Sequence, residues 1–343
     1  MKRSNWFNVL GIIALVAMAG LSMSACDNPA NSENAGYTGS GGSGDDTGGG
    51  NGNNQGSNGN GGETINGGTT GYTQGLVFAR SGSGYAITGF TGTARDVIIP
   101  AAHNGLPVVS IGDRAFRSDQ LTSVAIPDSV TSLGTEAFRY NQLTDVTIPN
   151  SVTSIGTGAF RSNQLTSLTI GNSVTSIEAE AFFGNQLHGS ITIPNSVRSI
   201  GREAFARNRL RSVTILNSVA SIGAGAFERN QLDSVTIPNR SSLGERAFAD
   251  NQLRSVTIPS STSISRYAFA RNQLTSVTIP SSVRTINHGA FMHNRLTNVT
   301  IPNGVTYIGR WAFIENQLTN VTVPSSTVVD SMAFGPRVTI TRR

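Results

Sequence analysis

The amino-acid sequence predicts a repeat solenoid, in which coils of about 22 residues stack their short strands in parallel. Three observations predict it. A phenylalanine recurs every 21 to 23 residues, an asparagine follows most of these phenylalanines by three residues, and the pattern Leu-x-x-Val-x-Ile comes next. The recurring phenylalanines are Phe116, Phe138, Phe160, Phe182, Phe205, Phe227, Phe248, Phe269, Phe291, Phe313 and Phe334. An interval this constant indicates stacked copies of one unit rather than a globular domain.

Each copy is predicted to hold two short strands joined by turns. In one copy, Val146 and Ile148 alternate with polar residues, which is typical of a half-buried strand. Pro149 has no N–H to donate to a strand ladder, so we expect the strand to end there. Ile155 lies in a second short extended stretch. The residues around Phe160 are expected to form a compact turn or a short 3₁₀ or α segment.

The repeated phenylalanines and asparagines are predicted to be structural. We expect each phenylalanine to fill the interior of its coil, as at Phe138, Phe160, Phe182, Phe205 and Phe227. The asparagines lie close to an apolar leucine, as at Asn141, Asn163 and Asn185. Amides in that position can form an inward ladder that satisfies backbone groups where the chain turns. The alternative is a row of exposed asparagines that a ligand recognises.

The N-terminus has the layout of a secretory signal peptide over residues 1–25, with Lys2 and Arg3 before a short apolar run. A transmembrane helix needs roughly 20 apolar residues, so an uncleaved anchor helix is the less favoured alternative. Residues 21–26 resemble a bacterial lipobox, which implies that Cys26 is lipidated and becomes the mature N-terminus. Three acyl chains would make this anchor effectively permanent. The expected location is the bacterial cell envelope, lipid-anchored at the outer membrane or cell surface.

A tether is predicted to follow. Residues 26–71 carry the cysteine and then consist mainly of Gly, Ser, Asn, Asp and Thr. Because apolar side chains are almost absent, nothing offsets the entropy cost of ordering this segment, which predicts disorder. A Gly-rich chain of this length has a mean span of about 35–40 Å, enough to lift the next domain off a membrane. The Gly-rich stretch is not a phosphate-binding loop, since no Gly-Lys-Ser/Thr follows it.

The repeat resembles that of BspA-like leucine-rich repeat proteins of bacterial surfaces, including treponemal ones. The family pattern reads close to L-x-x-V-x-I-P-x-S-V-x-x-I-G-x-x-A-F, and the match extends over about residues 72–340. Residues 72–110 would form an N-terminal cap, residues 111–327 the repeats, and residues 328–343 a C-terminal cap. The resemblance implies a right-handed curved solenoid with a parallel sheet on one face. It also implies adhesion or partner binding at the cell surface.

No catalytic, cofactor-binding or metal-ligating constellation is found in the sequence, so an enzyme is not expected. The four histidines are His103, His188, His288 and His293, and their spacing favours surface positions over a metal site. The formal charge is +5, but the arginines are spread among Asp and Glu, so nucleic acid is not an expected partner. A catalytic site in the N-terminal cap is the remaining alternative.

The outward strand positions are small and polar in nearly every copy, and they are the predicted binding face. Its representative residues are Ser234, Thr236, Ser255, Thr257, Ser276 and Thr278. We expect a surface lipoprotein that binds a host or matrix protein, or another cell. The alternatives are a structural or self-associating envelope protein and, through the Ser/Thr face, glycan binding. Ice binding is disfavoured, because the curvature of a leucine-rich array would spoil a lattice match.

Overall fold

The computed structural model describes residues 71–261 and 263–343, so the predicted signal peptide, Cys26 and almost all of the tether lie outside the described residues. The described chain is a β-solenoid of stacked coils, which confirms the fold class that the repeat predicts. Its regular elements are all strands. Accordingly, no helix within these two ranges has the length and apolar character needed to cross a membrane.

The strands are short and follow one another at the interval of the repeat. In chain order they are β1 (Leu76–Ser81), β2 (Gly84–Phe90), β3 (Asp96–Ile98), β4 (Ala102–His103), β5 (Leu106–Ile111), β6 (Ser123–Ala125), β7 (Ser132–Leu133), β8 (Asp145–Thr147), β9 (Ser154–Ile155), β10 (Ser167–Thr169), β11 (Ser176–Ile177), β12 (His188–Ile193), β13 (Ser199–Ile200), β14 (Arg209–Ile215), β15 (Ser221–Ile222), β16 (Ser234–Thr236), β17 (Ser242–Leu243), β18 (Ser263–Ile264), β19 (Thr285–Ile286), β20 (Tyr307–Ile308), β21 (Asn320–Val323), β22 (Val328–Val329) and β23 (Thr339–Arg342).

One series of strands comes from the Val-x-Ile part of each copy, and we call the surface it presents the strand face. Its parallel pairs are β3–β6, β8–β10, β12–β14–β16 and β21–β23. Single parallel bridges join Thr278 to Thr257 on one side and to Thr300 on the other. Equivalent residues of neighbouring copies lie opposite each other, as Thr214 and Thr236 do. Side chains at one position of the repeat therefore form a row along the solenoid.

The second series begins with the six-residue strand β5, continues with two-residue strands, and forms what we call the short-strand sheet. It runs in parallel from β5 through β7, β9, β11, β13 and β15 to β17, and a second parallel group follows from β18 through β19 and β20 to β22. Ser176 pairs with Ser199 and Ile177 with Ile200. The isoleucines are buried and the serines are half-buried, so the alternation of a strand persists over only two residues.

The first unit of the described chain is irregular. β1 and β2 form an antiparallel hairpin, β2 then pairs in parallel with β5, and β4 pairs antiparallel with β5. Gly84 permits this close arrangement, because a Cβ atom there would lie 2.3 Å from the carbonyl oxygen of Pro107. The hairpin covers the first copy of the array at the position where a cap was expected.

The segment around each phenylalanine is a turn rather than a short helix, and the direction of its N–H groups explains this. Glu136, Phe138 and Tyr140 donate to carbonyl groups of the next coil, at 2.8, 2.7 and 3.0 Å. Those N–H groups are unavailable for bonds within a helix. Glu136 and Tyr140 also adopt left-handed backbone conformations, with φ of 55° and 60°. The equivalent residues, two before and two after the phenylalanine, are left-handed in most other copies. The hydrogen bonds from one turn to the next therefore form a third ladder between coils, in addition to those of the strand face and the short-strand sheet.

The core is a single column of side chains inside the coils. The rings of neighbouring copies from Phe116 to Phe334 stack almost in parallel, with centroids 5.1 to 6.0 Å apart. The predicted anchors, which are fully buried, are Phe138, Phe160, Phe182, Phe205 and Phe227. The Leu, Val, Ile and Ala positions of the repeat surround this column.

Two irregularities follow from departures in the repeat. The copy that runs from Asn185 to Asn208 is one residue longer than most, and a register shift between Gly189 and Ser190 accommodates the extra residue in a bulge; β12 does not pair with β10. In the short copy, Ser241 occupies the place of the usual valine. It is buried, and its hydroxyl donates to the carbonyl of Val219 at 2.6 Å. A hydrogen bond between coils thus accompanies the loss of apolar contact.

Candidate binding surface

The asparagines point into the solenoid and fasten one coil to the next. The Oδ1 atom of Asn208 accepts the N–H of Leu187 at 3.0 Å. Its Nδ2 donates to the carbonyls of Phe182 at 3.0 Å and Phe205 at 3.1 Å. Asn141, Asn163, Asn185, Asn230, Asn251, Asn272, Asn294 and Asn316 repeat this pattern. With every amide occupied, these side chains have no donors to offer a ligand.

The strand face carries two outward rows of hydroxyl side chains. The predicted representatives are all exposed and lie on three consecutive copies: Ser234, Thr236, Ser255, Thr257, Ser276 and Thr278. The intervening side chains Val235 and Val277 are buried and Val256 is half-buried, so exposed polar residues alternate with inward valines in each copy. The structure therefore brings these six residues together on one polar surface.

Two shallow depressions lie on this face. The first, of about 330 Å³, is lined by the outward and inward residues of three strands, 212–214, 234–236 and 255–257. The second, of about 340 Å³, lies where the bulge at Gly189 separates β10 from β12. Hydroxyl, backbone and aliphatic groups line both, with His188 at the second. Such walls can contact a ligand surface but supply no activated acid, base or nucleophile.

Charged side chains cluster on the edge formed by the phenylalanine turns, which we call the turn edge. Glu136 accepts from Arg114 at 3.1 Å and forms ion pairs with Arg117 and Arg139. Burial alone would raise the pKa of Glu136, but the hydrogen bonds and charges of these arginines outweigh it and lower the pKa. Glu228 shows the opposite balance, because burial raises its pKa despite the pairing with Arg246. The Glu136–Arg139 pair lies within one coil, whereas the pairs of Glu136 with Arg114 and Arg117 and of Glu228 with Arg246 link neighbouring coils.

Further along the turn edge, five side chains form a continuous series of contacts that we call the aromatic–arginine row, in which the arginines lie over rings and the rings meet edge-on. Arg246 lies 4.9 Å from the ring centre of Tyr267, whose ring is 5.3 Å from His288. His288 lies 4.9 Å from Trp311, and Arg310 is 4.7 Å from the Trp311 ring. The repeat pattern does not predict this row. Its signal is aromatic side chains two or three residues before Phe269, Phe291 and Phe313.

The N-terminal unit holds a second aromatic cluster. Phe78 and His103 stack with ring centres 3.8 Å apart, and Tyr85 meets His103 edge-on at 4.8 Å. Hydrogen bonds from Ser123 and Thr122 lower the pKa of Asp96, which is a carboxylate on the surface of this unit. No deep pocket with a basic or nucleophilic group accompanies it among the described residues of the cap.

The histidines occupy unrelated positions. His288 belongs to the aromatic–arginine row, whereas the Nδ1 atom of His293 lies 3.3 Å from a carboxylate oxygen of Glu315. His103 stacks in the cap and His188 is exposed at the bulge. Within the described ranges, no three His, Cys, Asp or Glu side chains are grouped so as to hold a metal ion.

The repeats match a known family model. The model describes the BspA-type leucine-rich repeat region, and it matches residues 109–232 and 220–340, with six copies of its unit. The chain belongs to the BspA-type leucine-rich repeat family. The match covers well over half of the sequence and coincides with the stacked coils described above.

Several solved structures of leucine-rich repeat and related proteins match this chain at low sequence identity. A leucine-rich cell surface protein of Faecalibacterium prausnitzii is 24% identical, covering 79% of this chain and 93% of its own, with a TM-score of 0.34. A leucine-rich repeat protein of Bacteroides ovatus is 19% identical, covering 80% and 100%, with a TM-score of 0.46. The pneumococcal vaccine antigen PcpA is 18% identical, covering 73% and 79%, with a TM-score of 0.47. A search of curated proteins found no match.

Proposed function

We propose that this chain is a lipid-anchored cell-surface protein, whose solenoid binds a host or matrix protein, or another cell. The observation that carries the proposal is the strand face. It presents a row of exposed threonines from Thr147 to Thr322 beside a second row that is mostly serine, while the interior is filled by the phenylalanine column and the occupied amides. A filled interior leaves the outer surface as the place where a partner can bind. We propose no catalytic activity.

The anchor and the surface location are tested on cells. Full-length protein and the Cys26→Ala and Asp27→Ala variants are expressed, and membrane and soluble fractions are compared. We expect Cys26→Ala to leave the membrane fraction, because the acyl anchor is lost, and Asp27→Ala to remain in it. Protease treatment of intact cells should release solenoid peptides. Retention of Cys26→Ala in membranes, or protection of all peptides from protease, would contradict the proposal.

Binding is tested with a panel of immobilised extracellular matrix proteins. Thr236→Arg together with Thr257→Arg places long side chains on the strand face, and should weaken binding of any partner that contacts it. Ser176→Arg together with Ser221→Arg adds the same charge to the short-strand sheet and is the matched control. Equal binding by both double variants excludes the strand face. A protein that forms only homo-oligomers and captures no matrix protein or cell is a structural envelope protein instead.

A further inference from the structure

The charge of the solenoid is concentrated in its last copies. Residues 71–250 contain 14 arginines against 13 acidic residues, a formal charge of +1. Residues 251–343 contain nine arginines against Glu315 and Asp330, a formal charge of +7. The expectation of arginines spread evenly among acidic residues is therefore wrong for this part of the chain. A field of one sign attracts anionic partners.

Four of the five members of the aromatic–arginine row lie in this basic part, whereas Arg246 belongs to the preceding part and pairs with Glu228. Arg266 and Arg310 are exposed, and neither forms an ion pair with an acidic side chain among the described residues. Arg310 stacks on Trp311, and an arginine that covers a ring by its face keeps the N–H groups of its edge available for an anion. In the earlier copies, by contrast, Arg139 and Arg161 pair with Glu136 and Glu180.

The spacing along the row is regular. Arg266, His288 and Arg310 each lie three residues before the phenylalanine of consecutive copies. Neighbouring parallel strands are about 4.8 Å apart, so His288 lies one coil from each of the two arginines. Arg266 and Arg310 are therefore two coils apart, about 10 Å. This series therefore offers a charged contact at every second coil, with aromatic side chains of the intervening positions between them.

We propose that the aromatic–arginine row and Arg266 bind a linear acidic glycan, one that carries carboxylate or sulfate groups along its chain. A sugar ring is about as long as one coil is high, so anions on alternate sugars fall in register with the two arginines. Tyr267 and Trp311 present half-buried rings, and aromatic rings pack against the C–H faces of sugars. The guanidinium groups supply charge-assisted hydrogen bonds to the anions.

An extended polymer fits this surface better than a folded protein does. The depressions described above are on the strand face, whereas the turn edge is an open ridge of stacked side chains. A row with an arginine at every second coil can bind a chain that lies along it, because the anions of alternate sugars meet the successive arginines. This inference goes beyond the proposed function, since it needs neither a protein partner nor the strand face.

The test uses purified full-length protein and three immobilised polysaccharides: heparin as the sulfated probe, hyaluronan as the carboxylated probe and dextran as the neutral control. We expect binding to at least one acidic polysaccharide and none to dextran, with affinity falling as salt rises. Arg266→Gln together with Arg310→Gln should weaken binding about tenfold, since two exposed charge contacts are lost. Trp311→Ala should weaken it by removing the support of Arg310.

Arg209→Gln together with Arg211→Gln is the matched control. It removes two exposed arginines from the evenly charged part of the solenoid, and affinity should change less than twofold. Circular dichroism establishes that all variants are folded. Equal losses in the two double variants, absence of binding to both acidic polysaccharides, or equal binding to dextran would each overturn the proposal. Tighter binding to polyglutamate or DNA at the same arginines would assign the row to another class of partner.

Discussion

Replacement of one amide of the asparagine ladder tests how the coils are held together. Asn208→Ala removes the acceptor of the Leu187 N–H and the donor for the carbonyls of Phe182 and Phe205. All three backbone groups lie inside the solenoid, where water does not replace the lost partner. Each hydrogen bond contributes about 0.5–1.5 kcal/mol net, so the free energy of unfolding should fall by about 2–4 kcal/mol. The stability that is lost is that of the contact between the copy of Asn208 and the copy before it, which contains Phe182 and Leu187.

The measurement is urea unfolding of the full chain, followed by circular dichroism. Asn195→Ala in the preceding copy is the control, because Asn195 is exposed after Pro194 and should change stability by no more than about 0.5 kcal/mol. Asn208→Asp separates acceptor from donor, since a carboxylate still accepts from Leu187 but cannot donate to either carbonyl. If Asn208→Ala is as stable as Asn195→Ala, the amides do not hold the coils together as argued.

Three further predictions concern the core, the turns and the end of the ladder. Phe205→Ala should lower the free energy of unfolding by about 3–5 kcal/mol in the same urea assay. Phe205→Leu should lower it by less than half as much, and equal losses in the two variants would contradict a close-packed column. Ser162 and Gly184 occupy one left-handed turn position, with φ of 56° and 66°. Ser162→Gly should therefore raise the midpoint temperature of thermal unfolding. Gly184→Ala should lower the free energy of unfolding by about 1 kcal/mol, although the added Cβ atom would lie no closer than 3.8 Å to another atom. A change of opposite sign in either variant would refute the role of φ. Burial raises the pKa of Asp119, which stands where later copies have asparagine. Its contribution to stability is full below the unfolded pKa, near 3.8, and is lost as pH rises through the raised folded value. Asp119→Asn should thus stabilise the chain more at pH 7 than at pH 3 in urea titrations, and an equal effect at both pH values would exclude this account.

Much of the architecture follows from residues that recur. The alternation of Val146 and Ile148 predicts the strand, Pro149 its end, and the constant position of Phe160 the interior column. The inward amide is also accessible to sequence reasoning, because a polar residue that recurs beside leucine in every copy needs internal partners. These features repeat because each copy meets an identical neighbour.

Other features depend on how neighbouring copies align. The turn at Glu136 forms no helix because its N–H group reaches the next coil, and one copy read alone cannot show that bond. The contact of Tyr267 with His288 joins different positions of the repeat in adjacent copies. The charge of residues 251–343 appears only when arginines and acids are counted by region. Departures from the repeat, rather than the repeat itself, therefore identify the candidate glycan surface.

The asparagine ladder has a consequence for how such a chain can change in length. Asn208 bonds only to its own copy and to the copy before it, at Phe205, Phe182 and Leu187. If one whole copy is removed, the flanking copies present the same donors and acceptors to each other and the ladder closes again. A gain or loss of whole repeats in the coding sequence would add or remove such units. The distance by which the protein projects from a cell could then vary in steps of one coil without a new fold.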